Sequence, residues 1–489
     1  MPKRTTDDDG GTIEPMRKRK LPLLAEADVV VVGGGFSGVC AAVGAARAGA
    51  KTIIVERDGM LGGQAAEVYT FGLDAVIHYE SGRQIIRGLP WEIIRRTVAE
   101  GQSDPLWDRV DFERTAREGL EPSLREVGLK PRGIEDAYLN PAAFRYVLQT
   151  MADEAGATTL LECPLVGTLR DGDRVTGVVV HTDYGPRSVT GKVVVDTTPH
   201  AAVAGLAGKP YPHPEVYTGT HPRVANVDIH RLIAYLRENP GEWECALTLD
   251  AGADALLALV ERGHSLRLTG FRAARQRAMA ADPAYALTGR PGDEPRPLLF
   301  FYDRDGCGCY WIARAEGRET RLDDPLHLSR LLTDYRRRQW LTHKLFREYV
   351  PGFERAHLVD IQPHIARALN PKGETGSAGF TEYDVTWDEV AKGGSPHADS
   401  VARLLGHPGF GQATDGWQLP YRALIPKGLD GLLVIGKPAY AFIHYNGTVA
   451  AVGHAAGVAA AVAARAGGPL RNVAVGMIQD ELRRQDATL

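Results

Sequence analysis

Residues 28–57 read DVVVVGGGFSGVCAAVGAARAGAKTIIVER, and the apolar run Val29–Val32 that ends in three glycines constrains the fold more than any other stretch. A strand with one wet face alternates apolar and polar residues, so an unbroken run predicts a strand buried on both faces of a parallel sheet. Gly33, Gly35 and Gly38 then spell G-x-G-x-x-G, small residues continue at helical spacing, and a second apolar strand, KTIIVE, ends in Glu56. Each glycine has a mechanical reason: Gly33 permits a tight turn, Gly35 lets backbone amides approach a pyrophosphate, and Gly38 lets the helix pack on the strand. The helix N-terminus adds partial positive charge beneath the phosphates, with Phe36 and Ser37 as its first residues, and Glu56 supplies an acceptor for ribose hydroxyls. The pattern predicts a dinucleotide-binding α/β domain.

Composition narrows the class. With 489 residues, 44% hydrophobic and 24% charged, the chain is long enough for two or three domains, and a net charge of −4 argues against nucleic acid as a partner. Five scattered cysteines fit a reducing, cytoplasmic setting better than a disulfide framework. No apolar run reaches the roughly 18–20 residues that span a bilayer, and Val449–Ala464 falls short, so no membrane span is expected. Residues 1–24 are polar and unpatterned, and the basic run MRKRK has no long apolar segment after it, which predicts a disordered tail rather than a secretory signal.

After Glu56 comes RDGMLGGQAA, with Arg57 and then Gly62, Gly63 and Gln64 in a second glycine loop that a simple NAD domain does not require. Here the sequence resembles FAD-dependent oxidoreductases of the fumarate reductase and glutathione reductase type. The likeness extends through NPAAFRYVLQTMADEAGATTLLECPLVGTLRDGDRVTGVVVHT, which carries Val166, to the returning strand GKVVVDTT. It resumes at GLLVIGKPAYAFIHYNGTVAAVGHAAG, where Gly436 closes a strand and a small-residue helix follows. The residues themselves agree: Asn140 and Pro141 make a helix start, Gly156 a helix stop, and DGD at 171–173 a turn between β-rich runs.

The resemblance implies a discontinuous Rossmann-like FAD-binding domain at 25–210 and 418–470, an inserted substrate or cap domain at 211–417, and a C-terminal helix at 471–489. It implies that the late helix aims its N-terminus, Gly447, Thr448 and Val449, at the flavin pyrimidine, where its partial charge favours the anionic reduced ring. Catalytic candidates gather at the seam: His444, Tyr445 and Asn446 before that helix, and Arg367, placed to grip a carboxylate. Cys307 and Cys309 are not a C-x-x-C pair and are read as idle thiols. PYPHPEVYTGTH, with His213 and His221, is read as a proline-rich loop, and no metal site is expected.

Two departures qualify the likeness. DTTPHAAVAG puts Pro199 and His200 where relatives carry Gly-Asp, removing an amide near the cofactor. GMLGGQAA lacks the histidine by which some relatives attach flavin, so non-covalent FAD is expected. The sequence thus predicts a two-electron oxidation of a small organic substrate, in specialised biosynthesis, with oxygen or another acceptor restoring the cofactor. It leaves open a monooxygenase, a non-catalytic FAD-fold binding protein, and any oligomeric state.

Overall fold

The computed structural model describes residues 5–6, 12–13, 21–67, 84–101, 103–104, 139–209, 216–245, 252–288, 298–316, 324–362, 364–369, 379–386, 389–390, 394–405, 416–435 and 446–489. The first layer is a sheet built on β1 (Leu23–Val32), which pairs in parallel with β2 (Thr52–Val55) on one side and β6 (Gly185–Asp196) on the other. β3 (Thr158–Leu160) extends it beyond β2, and β17 (Leu432–Val434) adds to β6, also in parallel. The first half of β6 meanders back, antiparallel, through β5 (Arg174–Thr182) to β4 (Leu165–Asp171). The four valines now have their explanation. Val29 and Val31 enter the core on one face of the sheet, Val30 and Val32 a separate core on the other, so no position in the run can be polar.

Against the first face lie α1 (Phe36–Arg47) and α7 (Asn446–Ala466), crossing closely enough that backbone meets backbone. A Cβ on Gly453 would stand 2.1 Å from the Ser37 carbonyl oxygen, and one on Gly457 1.9 Å from that of Ala41. Glycine is required at both places, and the equal four-residue steps show that the two helices run parallel. α7 has 21 residues with a mean hydropathy of 1.6, so a helix of membrane-spanning length and polarity is present where the sequence reading expected too short a run. Of its most apolar 18-residue window, 83% is buried inside the protein, which accounts for the apolar composition by packing.

The local signals at the other helix ends hold. Asn140 accepts from the amides of Ala142 and Ala143 to cap α4 (Pro141–Glu154), which follows α3 (Leu89–Ala99). Gly156, at φ +75°, ends it. Within the tail expected to be disordered, Thr5–Thr6 pairs antiparallel with Thr12–Ile13.

A second, antiparallel sheet forms the cap: β9 (Trp243–Cys245), β10 (Leu266–Gly270), β11 (Leu298–Tyr302), β12 (Gly308–Glu316), β8 (Arg223–Ala225) and β13 (His357–Asp360) in that order. β7 (Val216–Thr220) pairs with β12 and with β14 (Ala366–Leu369). The stretch read as a proline-rich loop therefore contains a strand, and His221 stands at its end. The 25-residue α6 (Pro325–Tyr349) covers one face, packing Phe346 on Tyr310 and Phe300.

The chain rejoins the first layer well before residue 418. Phe380 is buried in the same core as Val30 and Val32, and Glu382 donates its amide to the Ile425 carbonyl. The hairpin of β15 (Ser400–Leu404) and β16 (Trp417–Pro420) packs beside α7 and α8 (Val475–Arg484), with the Arg403 amide bonded to Thr488. The polar, loop-rich texture of GGSPHADS hid this return, because its polar groups are bonded internally: His397 Nε2 lies 2.7 Å from Glu389 and the Tyr383 hydroxyl donates to the same carboxylate.

Candidate functional site

The turn from β1 into α1 is a cradle made of backbone. Gly33 holds φ +108°, and a Cβ there would meet Thr197 Oγ1 at 2.6 Å. Gly38 is tighter still: a Cβ would lie 1.8 Å from the Gly33 carbonyl oxygen, so only glycine lets α1 leave the strand at this angle. Gly35 differs from both. A Cβ on it meets nothing within 4 Å, because the residue opens onto the space in front of the α1 N-terminus. That combination is what a pyrophosphate needs: backbone with no side chain in the way, and the positive end of a helix dipole.

A second glycine loop closes the cradle from the side. Gly62 donates its amide to the Gly34 carbonyl at 2.9 Å, and a Cβ on Gly63 would come within 3.1 Å of the Gly35 Cα. α2 (Gly63–Glu67) starts there, with Gln64 exposed on it. Phe36 is buried edge-on against Phe144 at 5.1 Å and anchors the first turn of α1, while Ser37 is half-buried beside Gly453.

Glu56 does more than end β2. Its carboxylate accepts from the backbone amides of Gly34 and, at 2.8 Å, Asp58, so it ties the glycine turn to the loop that follows. Burial raises its pKa, and the two amide bonds oppose that shift. Sequence reasoning gave Glu56 the ribose and missed this anchoring role, which depends on a contact 22 residues away. Arg57 is exposed and pairs with Asp58 at 3.4 Å. Val166, 49% exposed on β4, lies three residues beyond Cys163, whose amide donates to the Glu56 carbonyl.

The turn that departs from the family is locked from within. Thr197 Oγ1 lies 2.8 Å from the carbonyl oxygens of both Val32 and Gly33. Asp196 is fully buried, accepts from Thr198 with one oxygen and from the amides of Val203 and Ala204 with the other, and so caps the short helix α5 (Ala202–Leu206). Burial still pushes its pKa up to about 6. Pro199 is exposed in that turn.

Because α7 runs parallel to α1, with Gly453 level with Ser37, its first residue lies six positions, about 9 Å along the helix axis, beyond the first residue of α1. Gly447 and Thr448 are buried there, Val449 is half-buried, and Asn446 opens the helix. Thr448 Oγ1 donates to the Leu405 carbonyl at 3.3 Å. Two positive helix ends thus stand in line, one at the cradle and one farther along the same face. Gly436, His444 and Tyr445 lie outside the described residues. Arg367 sits on β14 opposite Thr218.

Cap and cradle meet through α2. Gln362 donates through Nε2 to the Glu67 carbonyl and accepts the His221 amide through Oε1 at 2.8 Å. His364 stands between Glu67 (3.2 Å to Nδ1) and Asp58 (3.9 Å to Nε2), and the Glu67 carboxylate raises its pKa. One ligand atom from each of these three residues falls within 4.8 Å of the others, the one grouping of metal-binding spacing among the described residues. Each imidazole nitrogen faces its own carboxylate, as an imidazolium bridging two acids would. The five cysteines are free; Cys309 is buried, and burial raises both its pKa and that of Cys307, so neither thiol is primed to react.

The chain matches the FAD dependent oxidoreductase family over residues 28–482. Solved structures of similar fold include a geranylgeranyl bacteriochlorophyll reductase-like protein from Thermoplasma acidophilum, at 15% identity over 95% of this chain and 84% of that one, with a TM-score of 0.42. GidA from Aquifex aeolicus matches at 13% identity over 91% of this chain and 65% of that one, with a TM-score of 0.43. The flavin-dependent brominase Bmp2, as a triple mutant, matches at 12% over 94% and 86%, with a TM-score of 0.41. None of the curated proteins matches this chain. The cradle fits FAD at Gly35, at the α1 N-terminus and at Glu56, and the chain belongs to the family of FAD-dependent oxidoreductases.

Proposed function

We propose that this enzyme oxidises a small organic substrate by two electrons, with non-covalent FAD as the first acceptor, in the cytoplasm and in a biosynthetic setting. The observation that carries the reading is the pair of parallel helix ends offset by about 9 Å along their common direction, the nearer facing the open side of Gly35. Bound FAD supplies hydride acceptance, which no protein side chain can provide. The chain's own residues do the rest. Gly33–Ser37 and Glu56 hold the adenine-side half of the cofactor. The N-terminus of α7 at Asn446–Val449 offers partial positive charge where negative charge gathers on reduction. His444, Tyr445, Asn446 and Arg367 are the candidates for binding substrate and taking its proton.

Purified protein tests this directly. It should show flavin absorption or acquire it with added FAD, and the yellow colour should bleach anaerobically with a substrate drawn from amines, hydroxy acids and unsaturated acids. His444→Ala should keep the colour and slow bleaching by roughly 10²- to 10⁴-fold, the usual contribution of a placed acid or base. Stoichiometric incorporation of oxygen into the product would replace this reading with a monooxygenase. Protein that stays colourless with FAD would overturn it.

A further inference from the structure

The two faces of the cap sheet are unlike. One is closed by α6: Thr218 Oγ1 meets the Tyr335 hydroxyl at 2.6 Å, Gln339 Nε2 donates to Thr220 Oγ1 at 2.6 Å, and Tyr310 packs on Phe346. Side chains alternate along a strand, so His221, next after Thr220, and Trp311, next after Tyr310, turn to the opposite face. There the rings form a continuous cluster, with His221 and Phe301 buried and Trp311 and Arg267 half-buried. His221 lies 5.6 Å from Trp311, Trp311 lies 5.9 Å from Phe301, and the Arg267 guanidinium stands 5.2 Å and 5.4 Å over the Phe301 and Trp311 rings.

His221 is the unusual member. Its side chain is 3% exposed, yet Nδ1 has no hydrogen-bond partner. Buried polar atoms are almost always bonded, and one that is not calls for a ligand, a water or a function. Burial drives the imidazole pKa down to about 3 against an opposing bond to the Gln362 side chain, so the ring is neutral in ordinary conditions and Nδ1 is the nitrogen left to bond. The position of this face is fixed by the seam. The His221 amide is held by Gln362, Gln362 reaches the carbonyl of Glu67, and Glu67 ends the five-residue helix that starts at Gly63, against the cradle.

We propose that this aromatic face is the substrate platform and that His221 Nδ1 bonds a polar atom of a planar aromatic or conjugated substrate. The ring of such a substrate packs against Trp311 beside the Arg267 guanidinium, and its polar atom completes the bonding of the imidazole. This rests on the flavoenzyme reading, since α2 places the platform next to the cofactor loop, and it narrows the substrate from any small organic molecule to a flat one.

The test uses the full FAD-loaded chain with indole-3-carboxylate and benzoate as probes and cyclohexanecarboxylate as the equally charged, non-planar control. Calorimetric titration should show both planar acids binding at least tenfold more tightly than the control, with a shift of the flavin absorption band on saturation. His221→Phe should weaken indole-3-carboxylate at least tenfold while FAD affinity stays within twofold. Trp311→Leu, at a half-buried position, should do the same and serves if the histidine variant fails to fold. Equal binding of planar and saturated acids, no binding of either, or full affinity in both variants would overturn the proposal. Colourless protein that still binds planar acids in a Trp311-dependent way would uphold the platform and defeat the flavin reading.

Discussion

The cradle and the cap do their work with different parts of the residue. At the cradle the wall is mostly backbone: Gly33, Gly34, Gly35, Gly62 and Gly63 shape it from amides and carbonyls, and the side chains that hold it, Glu56 and Thr197, are themselves bonded to backbone. In the cap the informative groups are side chains, and several are buried with an atom unbonded: His221 Nδ1, Gln339 Oε1, Thr342 Oγ1 and Asp303 Oδ2. A backbone site tolerates almost no change of shape but carries little chemical specificity. A side-chain site can be rewritten by substitution, which suits the half of an enzyme that must fit its own substrate.

That contrast can be broken most severely at the glycines where helices meet backbone directly. Gly38→Ala and Gly457→Ala each drive a Cβ to within 2 Å of a carbonyl oxygen that belongs to packed backbone. Each should destabilise the fold by roughly 3 kcal/mol or more, because neither neighbour can rotate away. Denaturant melts or soluble yield will show it. A stable Gly38→Ala protein would mean that α1 leaves β1 differently.

Gly35→Val sets the opposite expectation three residues away. A Cβ there meets nothing within 4 Å, so the midpoint of thermal unfolding without FAD should move by no more than about 1 °C, on the order of 1 kcal/mol in a chain of this size. FAD affinity should nevertheless fall at least 100-fold, since the valine occupies the place of the pyrophosphate. Full flavin occupancy in this variant would sink the cradle. Glu56→Ala comes next. Losing a charge-assisted contact costs on the order of 1.5–3 kcal/mol, about ten- to a hundredfold in FAD affinity. It should also destabilise the apoprotein, because the Gly34 and Asp58 amides lose their acceptor; a drop in affinity without that loss would leave Glu56 only the ribose.

The smallest effect sharpens the cap side of the comparison. Asp303 is buried with Arg223 no closer than 3.9 Å, and burial pushes its pKa up to about 7 from 3.8. A carboxyl whose folded pKa is raised favours the fold only while protonated, so its contribution declines as pH rises from about 4 through 7. Asp303→Asn removes that slope. The variant should gain on the wild type across this window, by about 1 kcal/mol or more at pH 8, and match it near pH 4. Parallel melts at both pH values decide it, and an equal gain at both would place the cause in packing.

The sequence was most readable where one local rule had one solution. Val29–Val32 had to be a two-faced strand, Asn140 and Pro141 had to start a helix, and DGD had to turn, because each is settled within a few residues by burial, capping or φ. It misled where polarity had two possible causes. The polar stretch up to Ser400 looked like loop outside the flavin domain, and the paired side chains His397–Glu389 and Arg422–Asp399 show that its polarity is satisfied inside that domain. His221 is hidden among prolines, and nothing in the spacing of PYPHPEVYTGTH marks Val216–Thr220 as a strand edge.

By itself, then, the sequence determined the strand, glycine turn, helix and acidic strand end that make up the candidate cradle, since those depend on neighbours in the chain and on the freedom of glycine at φ +108°. Tertiary structure alone decided the rest. The anchoring of Gly34 by Glu56, the parallel seating of α7 against α1 through Gly453 and Gly457, and the turning of His221 toward Trp311 are contacts between residues from 22 to more than 400 positions apart. Their geometry comes from how sheets and helices stack, and stacking leaves only small residues and an occasional buried polar atom as its trace in the chain.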